Sequence, residues 1–170
     1  MTDHAFWDKT SDVPGLTKGE IFHLGESVII WGQIEYEIQW LIWEYLACGP
    51  EKGILITAGQ TLRTKIELLT RLVERHEGDD QLKEGVLSTI KRVESLQPNR
   101  NVLVHGYWTV MGPVSGKKII RSGDHPWGHL PDNFQLEKFA TDSGAVACEL
   151  NTIRHRKVAQ DFSALQADDD

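Results

Sequence analysis

The stretch Arg100-Asn101-Val102-Leu103-Val104-His105-Gly106-Tyr107 decides the fold of this chain, because helical patterns precede it and strand-like patterns follow it. Before it, apolar residues recur at steps of three and four, which is typical of amphipathic helices. After it, two strand-like runs over 107–111 and 117–121 flank a segment rich in glycine and proline. The sequence therefore predicts a helical chain with a small hairpin.

Four long helices are predicted around this stretch. The first covers 17–45, and the second begins after Gly49-Pro50, which ends the first. The third follows possible capping residues at 78–80, and the last begins near Leu136. Their apolar stripes are Ile21, Leu24, Val28, Trp31, Ile38, Ile42 and Tyr45; Leu62, Ile66, Leu69 and Val73; Leu82, Val86, Ile90, Val93 and Leu96; and Leu136, Phe139, Val146, Leu150 and Ile153. Gly25 and Gly32 weaken the first helix but permit the close approach of another backbone.

Pro98 lies just before the motif and is expected to stop or kink the third helix. Asn99 can then cap a short new helix from Arg100 to His105, with Gly106 as its left-handed terminator. The backbone N–H groups at the start of such a helix would be free, and this positive end attracts phosphate.

The side chains of the motif also suit phosphate chemistry. A guanidinium offers a planar fork of donors to phosphate oxygens, and an imidazole can exchange a proton near neutral pH. On a helix, His105 lies on nearly the same face as Asn101 but about 140° away from Arg100. Two copies related by a two-fold axis could instead bring Arg100 of one chain to His105 of the other. The spacing therefore predicts a homodimer.

Composition and charge limit the classes of protein. The 170 residues, 40% hydrophobic and 25% charged, fit a single domain over 1–170, with an N-terminal arm at 1–16 and an acidic tail at 163–170. The net charge of −7 argues against binding nucleic acid over the whole surface, so such a contact would be local. Without a secretory signal or an apolar run of about 20 residues, we expect a soluble, cytoplasmic protein with no membrane contact. Cys48 and Cys148 are expected to be buried free thiols.

Arg100, Asn101 and His105 resemble the motif of HEPN domains, in which an arginine, often followed by asparagine, precedes a histidine by four to six residues. The order of helices is similar over about 17–162. The resemblance implies an all-α, antiparallel helical bundle of HEPN type, here with a small β-hairpin insertion after the motif helix. It also implies a metal-independent, cofactor-free endoribonuclease of toxin or antiviral-defence type that acts as a homodimer on RNA. His105 would be the general acid and base, Arg100 would stabilise the transition state, and Asn101 would orient the substrate or His105.

A narrower likeness concerns the residues after the motif. Arg100, His105 and Tyr107 are similar to the Arg-x4-His-x-Tyr pattern of HEPN toxins that pair with nucleotidyltransferase antitoxins, in which the tyrosine can be nucleotidylated. The resemblance therefore implies a cognate antitoxin or nucleotidyltransferase as a possible partner. Trp108 departs from that group and is a candidate for stacking on a base.

Other interpretations of the same residues stay open. The protein could be a non-catalytic, HEPN-like binding or scaffold module, in which Arg100 pairs with a core carboxylate such as Glu35 and His105 satisfies a buried acceptor. A metal-dependent nuclease is disfavoured, because no cluster of Asp, Glu and His has ligand spacing. His125 and His129 are separated by Pro126 and Gly128, which favours a loop over a metal site.

Overall fold

The computed structural model describes residues 16–105, 107–110, 117–120 and 135–167, and five helices account for most of them. The helices are α1 (Lys18–Tyr45), α2 (Pro50–Thr57), α3 (Leu62–His76), α4 (Asp80–His105) and α5 (Leu136–Ala167). The fold class is all-α. The predicted loop at 122–133, with His125 and His129, lies outside the described residues.

Two short strands follow α4. They are β1 (Tyr107–Val110) and β2 (Lys117–Ile120), and they pair antiparallel with Tyr107 opposite Ile120 and Val110 opposite Lys117. The turn predicted between them lies outside the described residues.

The chain divides into two compact units. The first unit contains Met1–Ile30 and Glu94–Ser143, and the second contains Trp31–Val93 and Gly144–Asp170. Among the residues that the structure describes, the buried apolar ones of the first unit are Leu16, Val102, Leu103, Phe139 and Ala140. Those of the second unit are Trp31, Ile34, Ile38, Leu41, Ile42, Trp43, Ile66, Leu69, Leu72, Val73, Leu82, Val86, Ile90, Val93, Val146, Ala147 and Leu150.

Side-chain caps explain where three helices begin. Thr17 and Glu20 form a reciprocal capping box before α1, in which each side chain accepts a hydrogen bond from the backbone N–H of the other. Thr61 is the N-cap residue of α3, and its side chain accepts a hydrogen bond from the backbone N–H of Thr64. Asp79 accepts from the backbone N–H of Leu82, 3.0 Å away, and this bond holds the pKa of the Asp79 carboxyl below its usual value. Thr17, Thr61 and Asp79 therefore mark where these three helices begin.

The short helix α2 was not predicted from the sequence. Gly49-Pro50 ends α1 as expected, but Pro50 also begins α2, because proline is well accommodated in the first helical turn. Trp43 anchors α2, since its indole packs where a Cβ atom of Gly53 would otherwise lie. The indole N–H donates to Thr57 Oγ1 over 3.2 Å, and the Thr57 hydroxyl donates to the Gly53 carbonyl over 3.0 Å.

The structure corrects two predictions about burial. Val28 was placed in the apolar stripe that faces the core, yet it is 52% exposed, because the buried face of α1 is centred on Ile34 and Ile38. The cysteines were expected to be buried, but Cys148 is exposed and Cys48 is half-buried, and both are free thiols. No helix among the described residues is long and apolar enough to cross a bilayer.

We expect Gly53→Ala to destabilise the second unit, because the added methyl group must displace the Trp43 indole. Overpacking of this kind costs about 1–3 kcal/mol. Gly85→Ala is the matched control: Gly85 also lies inside a helix, but a Cβ there meets no atom within 4 Å. It should leave stability unchanged or raise it by up to about 1 kcal/mol. Urea unfolding of both variants checks this, and equal stabilities would contradict the packing described for Trp43.

Candidate functional site

The helix that carries the motif is continuous. α4 runs from Asp80 to His105 with Pro98 inside it, so the prediction that the helix stops there and that Asn99 caps a new one is wrong. Proline removes one backbone donor, which leaves only the Glu94 carbonyl without its helical partner. Both Glu94 and Pro98 are exposed, so water can bind that carbonyl. The proline therefore disrupts α4 only at this one hydrogen bond.

Because α4 is continuous, the motif lies at the end of a helix and not, as predicted, at the start of one. In a continuous helix the backbone N–H groups of Asn101 and Val102 bond to carbonyls four residues earlier. They are then not available to an anion. The C-terminal end of a helix also carries partial negative charge, which does not attract phosphate. Contact with a phosphate would therefore depend on the side chain of Arg100.

Arg100 and Asn101 are joined by a hydrogen bond. The Nη1 group of Arg100 donates to Asn101 Oδ1 over 3.2 Å, and both side chains are half-buried. The amide oxygen thus restrains the guanidinium, whose Nε atom is buried. A restrained guanidinium loses less rotational freedom when it binds an oxyanion.

His105 is exposed at the last residue of α4. The residues just before it differ in environment, because Val102 and Leu103 are buried in the first unit whereas Val104 is 42% exposed. The two buried residues fix the rotation of the last helical turn. They therefore hold His105 at the surface, where an imidazole can exchange protons with solvent or with a ligand.

Tyr107 and Trp108 are the first residues of β1, where their backbone pairs with Ile120 and Ile119. Their side chains lie outside the part of the chain that the structure describes. Their predicted roles in modification and base stacking stay predictions.

A buried charged cluster in the second unit was missed from the sequence, which pointed to Glu35. Glu35 is half-buried, whereas Glu37 is 0% exposed. Glu37 Oε2 accepts from Arg154 Nε over 2.7 Å, and Oε1 accepts from Asn151 over 3.1 Å and from Gln33 over 2.5 Å. Because all of these contacts are internal, the cluster joins α1 to α5 and has a structural role. The signal for it was the position of Glu37 between Ile34, Ile38 and Leu41.

A second polar cluster lies at the turn between α3 and α4. Tyr45 donates to Glu77 Oε2 over 2.7 Å. Burial and, to a smaller extent, this hydrogen bond raise the pKa of the Tyr45 hydroxyl. Lys157 lies 5.0 Å from the centre of the Tyr45 ring and 2.8 Å from Asp161. Within the described ranges, no group of three His, Cys, Asp or Glu residues is arranged to hold a metal ion.

Comparison of the chain with protein-family models, with curated proteins and with solved structures finds no match. Function must therefore be argued from the residues of this chain.

We expect Asn99→Ala to leave stability unchanged within about 0.5 kcal/mol, because Asn99 lies inside α4 and caps nothing. Loss of a true N-cap would cost about 0.5–2 kcal/mol. Asp79→Ala is the positive control, since Asp79 does cap α4. Urea unfolding of both variants measures the two changes in stability. A loss at Asn99 as large as that at Asp79 would show that a new helix begins at the motif.

Proposed function

We propose that this protein is a metal-independent endoribonuclease of HEPN type, which cleaves RNA at a site shared by two copies of the chain. The observation that carries the proposal is the arrangement at the end of α4, where a guanidinium held by Asn101 lies within five residues of an exposed imidazole. The proposal includes an antiparallel HEPN-like bundle with β1 and β2 as its hairpin insertion.

His105 supplies the acid–base chemistry in this proposal. A neutral imidazole accepts the proton of a ribose 2'-OH while that oxygen forms a bond to the adjacent phosphorus. The bond from phosphorus to the 5'-oxygen breaks, and the same imidazole, now protonated, gives the proton that it accepted to the leaving oxygen. The products are a 2',3'-cyclic phosphate and a free 5'-OH. DNA is not a substrate, because it lacks the attacking hydroxyl.

Arg100 supplies the electrostatic stabilisation of the transition state in this proposal. Negative charge grows on the non-bridging phosphate oxygens as the 2'-oxygen attacks, and a guanidinium already in place stabilises that charge without reorganisation. Asn101 is a positioning residue, because it acts through Arg100. With the helix end oriented unfavourably for an anion, Arg100 is the main source of attraction for phosphate at this site.

The shared site follows from helix geometry. Residues five apart on a continuous helix are separated by about 140° around its axis, so Arg100 and His105 of one chain do not face the same point. A two-fold axis offers each guanidinium an imidazole from the partner. It also gathers two cations in one place on a chain whose net charge is −7, which favours binding of RNA there.

We expect purified wild-type protein to cleave mixed single-stranded RNAs in excess chelator. His105→Ala should lower the rate by about 10²–10⁴-fold, as is usual for loss of a general acid or base. Arg100→Ala should lower it by about 10²–10³-fold. His76→Ala is the matched control, because His76 is also an exposed histidine at the last residue of a helix, α3. Gel analysis and mass of the 3' ends give the rates and the cyclic phosphate.

The control variant should keep full activity, and circular dichroism should show that all variants fold. Equal cleavage by all four proteins would reveal a contaminating nuclease and contradict the proposal. Absence of cleavage by a folded, dimeric wild type would favour the scaffold interpretation instead. A nucleotide adduct on Tyr107 of protein isolated from its native host would favour regulation by a nucleotidyltransferase.

A further inference from the structure

Three aromatic side chains of α1 lead from the core of the second unit to its surface. Trp43 is buried, Trp40 is half-buried and Tyr36 is 48% exposed. The ring centres of Trp43 and Trp40 lie 5.0 Å apart, and those of Trp40 and Tyr36 lie 6.1 Å apart. Such distances are typical of packed aromatic pairs. These three residues are called the aromatic ladder, and its outermost ring meets solvent.

The inner end of the aromatic ladder is fixed. The Trp43 indole N–H donates to Thr57, and the Trp43 ring packs against Gly53 of α2. Because Trp40 contacts Trp43 and Tyr36 contacts Trp40, the exposed ring is supported from below. A flat ring that is already held in place loses little side-chain entropy when another flat ring stacks on it.

Arg154 of α5 lies beside the ladder. Its Cζ atom is 5.8 Å from the centre of the Trp40 ring, and its Nε donates to the buried carboxylate of Glu37. Glu37 engages Nε alone, and no residue that the structure describes accepts a hydrogen bond from the two Nη groups. The Arg154 side chain is 19% exposed. The guanidinium is therefore held at one edge and keeps donors for an oxyanion.

Lys65 of α3 flanks the other side of the exposed ring. Its ammonium donates to Gln39 Oε1 over 3.0 Å, and within the described part of the chain it has no carboxylate partner. Around the axis of α1, Tyr36 lies about 60° from Gln39 and about 40° from Trp40, between the two. The Tyr36 ring thus has Lys65 on one side and Arg154 on the other.

We propose that this surface binds single-stranded nucleic acid, with a base stacked on Tyr36 and a phosphate on the Nη groups of Arg154. A base offers a flat π-face, and its phosphate offers oxygens that match the planar fork of a guanidinium. Tyr36, Trp40, Lys65 and Arg154 all belong to the second unit. The site is therefore contained in one unit and uses no residue of the motif at the end of α4.

The charge of Glu37 limits the electrostatic attraction at this site. Because Glu37 balances the charge of Arg154, binding depends on stacking and on directed hydrogen bonds more than on net charge. Contact of one or two phosphates with the cations gives a slope of log K against log salt of about −1. We expect a dissociation constant of about 10⁻⁶–10⁻⁴ M, because so few charges take part.

Fluorescence anisotropy of a short, fluorescein-labelled oligodeoxythymidine tests the site. DNA lacks the 2'-OH that the proposed cleavage requires, whereas stacking tolerates either sugar. Every protein in this assay carries Arg100→Ala, so that the motif contributes no guanidinium, and circular dichroism checks the fold. We expect saturable binding with the shallow salt dependence given above. A dissociation constant weaker than about 10⁻⁴ M, or a slope steeper than about −4, would overturn the proposal.

Substitution of Tyr36 tests the stacking. Tyr36→Ala should weaken binding by about 5–150-fold, the range expected for loss of one stacked base. Tyr36→Phe is the matched control, because it keeps the ring and removes a hydroxyl that has no hydrogen bond among the described residues. It should bind as tightly as the parent protein. Equal affinities of Tyr36→Ala and the parent would show that no base stacks there.

Substitution of Arg154 tests the phosphate contact. Arg154→Lys keeps the charge that the buried Glu37 requires but removes the planar fork, so affinity should fall by about tenfold or more. Arg63→Lys is the matched control, since Arg63 is 82% exposed and lies about 160° from Lys65 around the axis of α3. It should bind like the parent. An Arg154→Lys protein that also binds like the parent contradicts the assigned contact.

Competition distinguishes a strand from a free nucleotide. Unlabelled oligodeoxythymidine should displace the probe, and the same concentration of uridine monophosphate should not. Equal displacement by both would assign the surface to a free nucleotide and overturn the assignment to a strand.

The outcome does not depend on RNA cleavage. A protein that binds the probe through Tyr36 but cleaves no RNA supports this inference and contradicts the proposed function. A protein that cleaves RNA at its motif, while Tyr36→Ala leaves probe binding unchanged, does the reverse.

Discussion

The function proposed for this protein depends on one constraint, the continuity of α4 from Asp80 through Pro98 to His105. A continuous helix fixes the angle between Arg100 and His105 at about 140° and uses the backbone donors that a new helix would have left free. In the proposed mechanism the site therefore uses side chains instead of a helix terminus, and a second chain instead of a single one. The hydrogen bond from Arg100 to Asn101 and the exposure of His105 are the local features on which the proposed chemistry rests.

The polar interactions of the described residues divide into two kinds. Glu37 is fully buried and bonded to Arg154, Asn151 and Gln33, so none of its lone pairs is directed to solvent. Removal of one partner would leave a buried charge uncompensated, which is why such a cluster favours one arrangement of α1 and α5. The motif at the end of α4 differs, because its groups are only partly buried. This contrast separates the charges that maintain the fold from those that can meet a ligand.

Local signals predicted much of the fold. The start of α1 at Lys18, its end before Gly49 and the cap of α4 at Asp79 follow from residues next to one another in the sequence. The partners of the buried residues of α1 depend instead on long-range contacts. The position of Glu37 between Ile34, Ile38 and Leu41 indicates its burial, but no pattern within α1 identifies its partner Arg154, which lies 117 positions away. Likewise, α1 has two apolar faces, and the sequence alone did not show that Val28 belongs to the exposed one.

The residues of the candidate site are still a prediction from the sequence, whereas the structure shows the helix in which they lie. The chemistry of Arg100, Asn101 and His105 is a property of their types and spacing, so the sequence was sufficient to choose them. Their setting depended on Pro98, a residue that usually ends a helix but is tolerated here because it and Glu94 face solvent. Whether a proline stops a helix depends on which face it occupies, and that is known only once the buried residues of α4 are known.

The central claim is that each active site combines Arg100 of one chain with His105 of another, and subunit mixing tests it most directly. Arg100→Ala and His105→Ala proteins, each inactive alone, are mixed in equal amounts, allowed to exchange subunits and assayed on RNA in chelator. Each mixed dimer has one complete site and one empty one, so activity should return to about a quarter of the wild-type value. A mixture as inactive as its components, under conditions where mixed dimers are shown to form, would contradict the shared site.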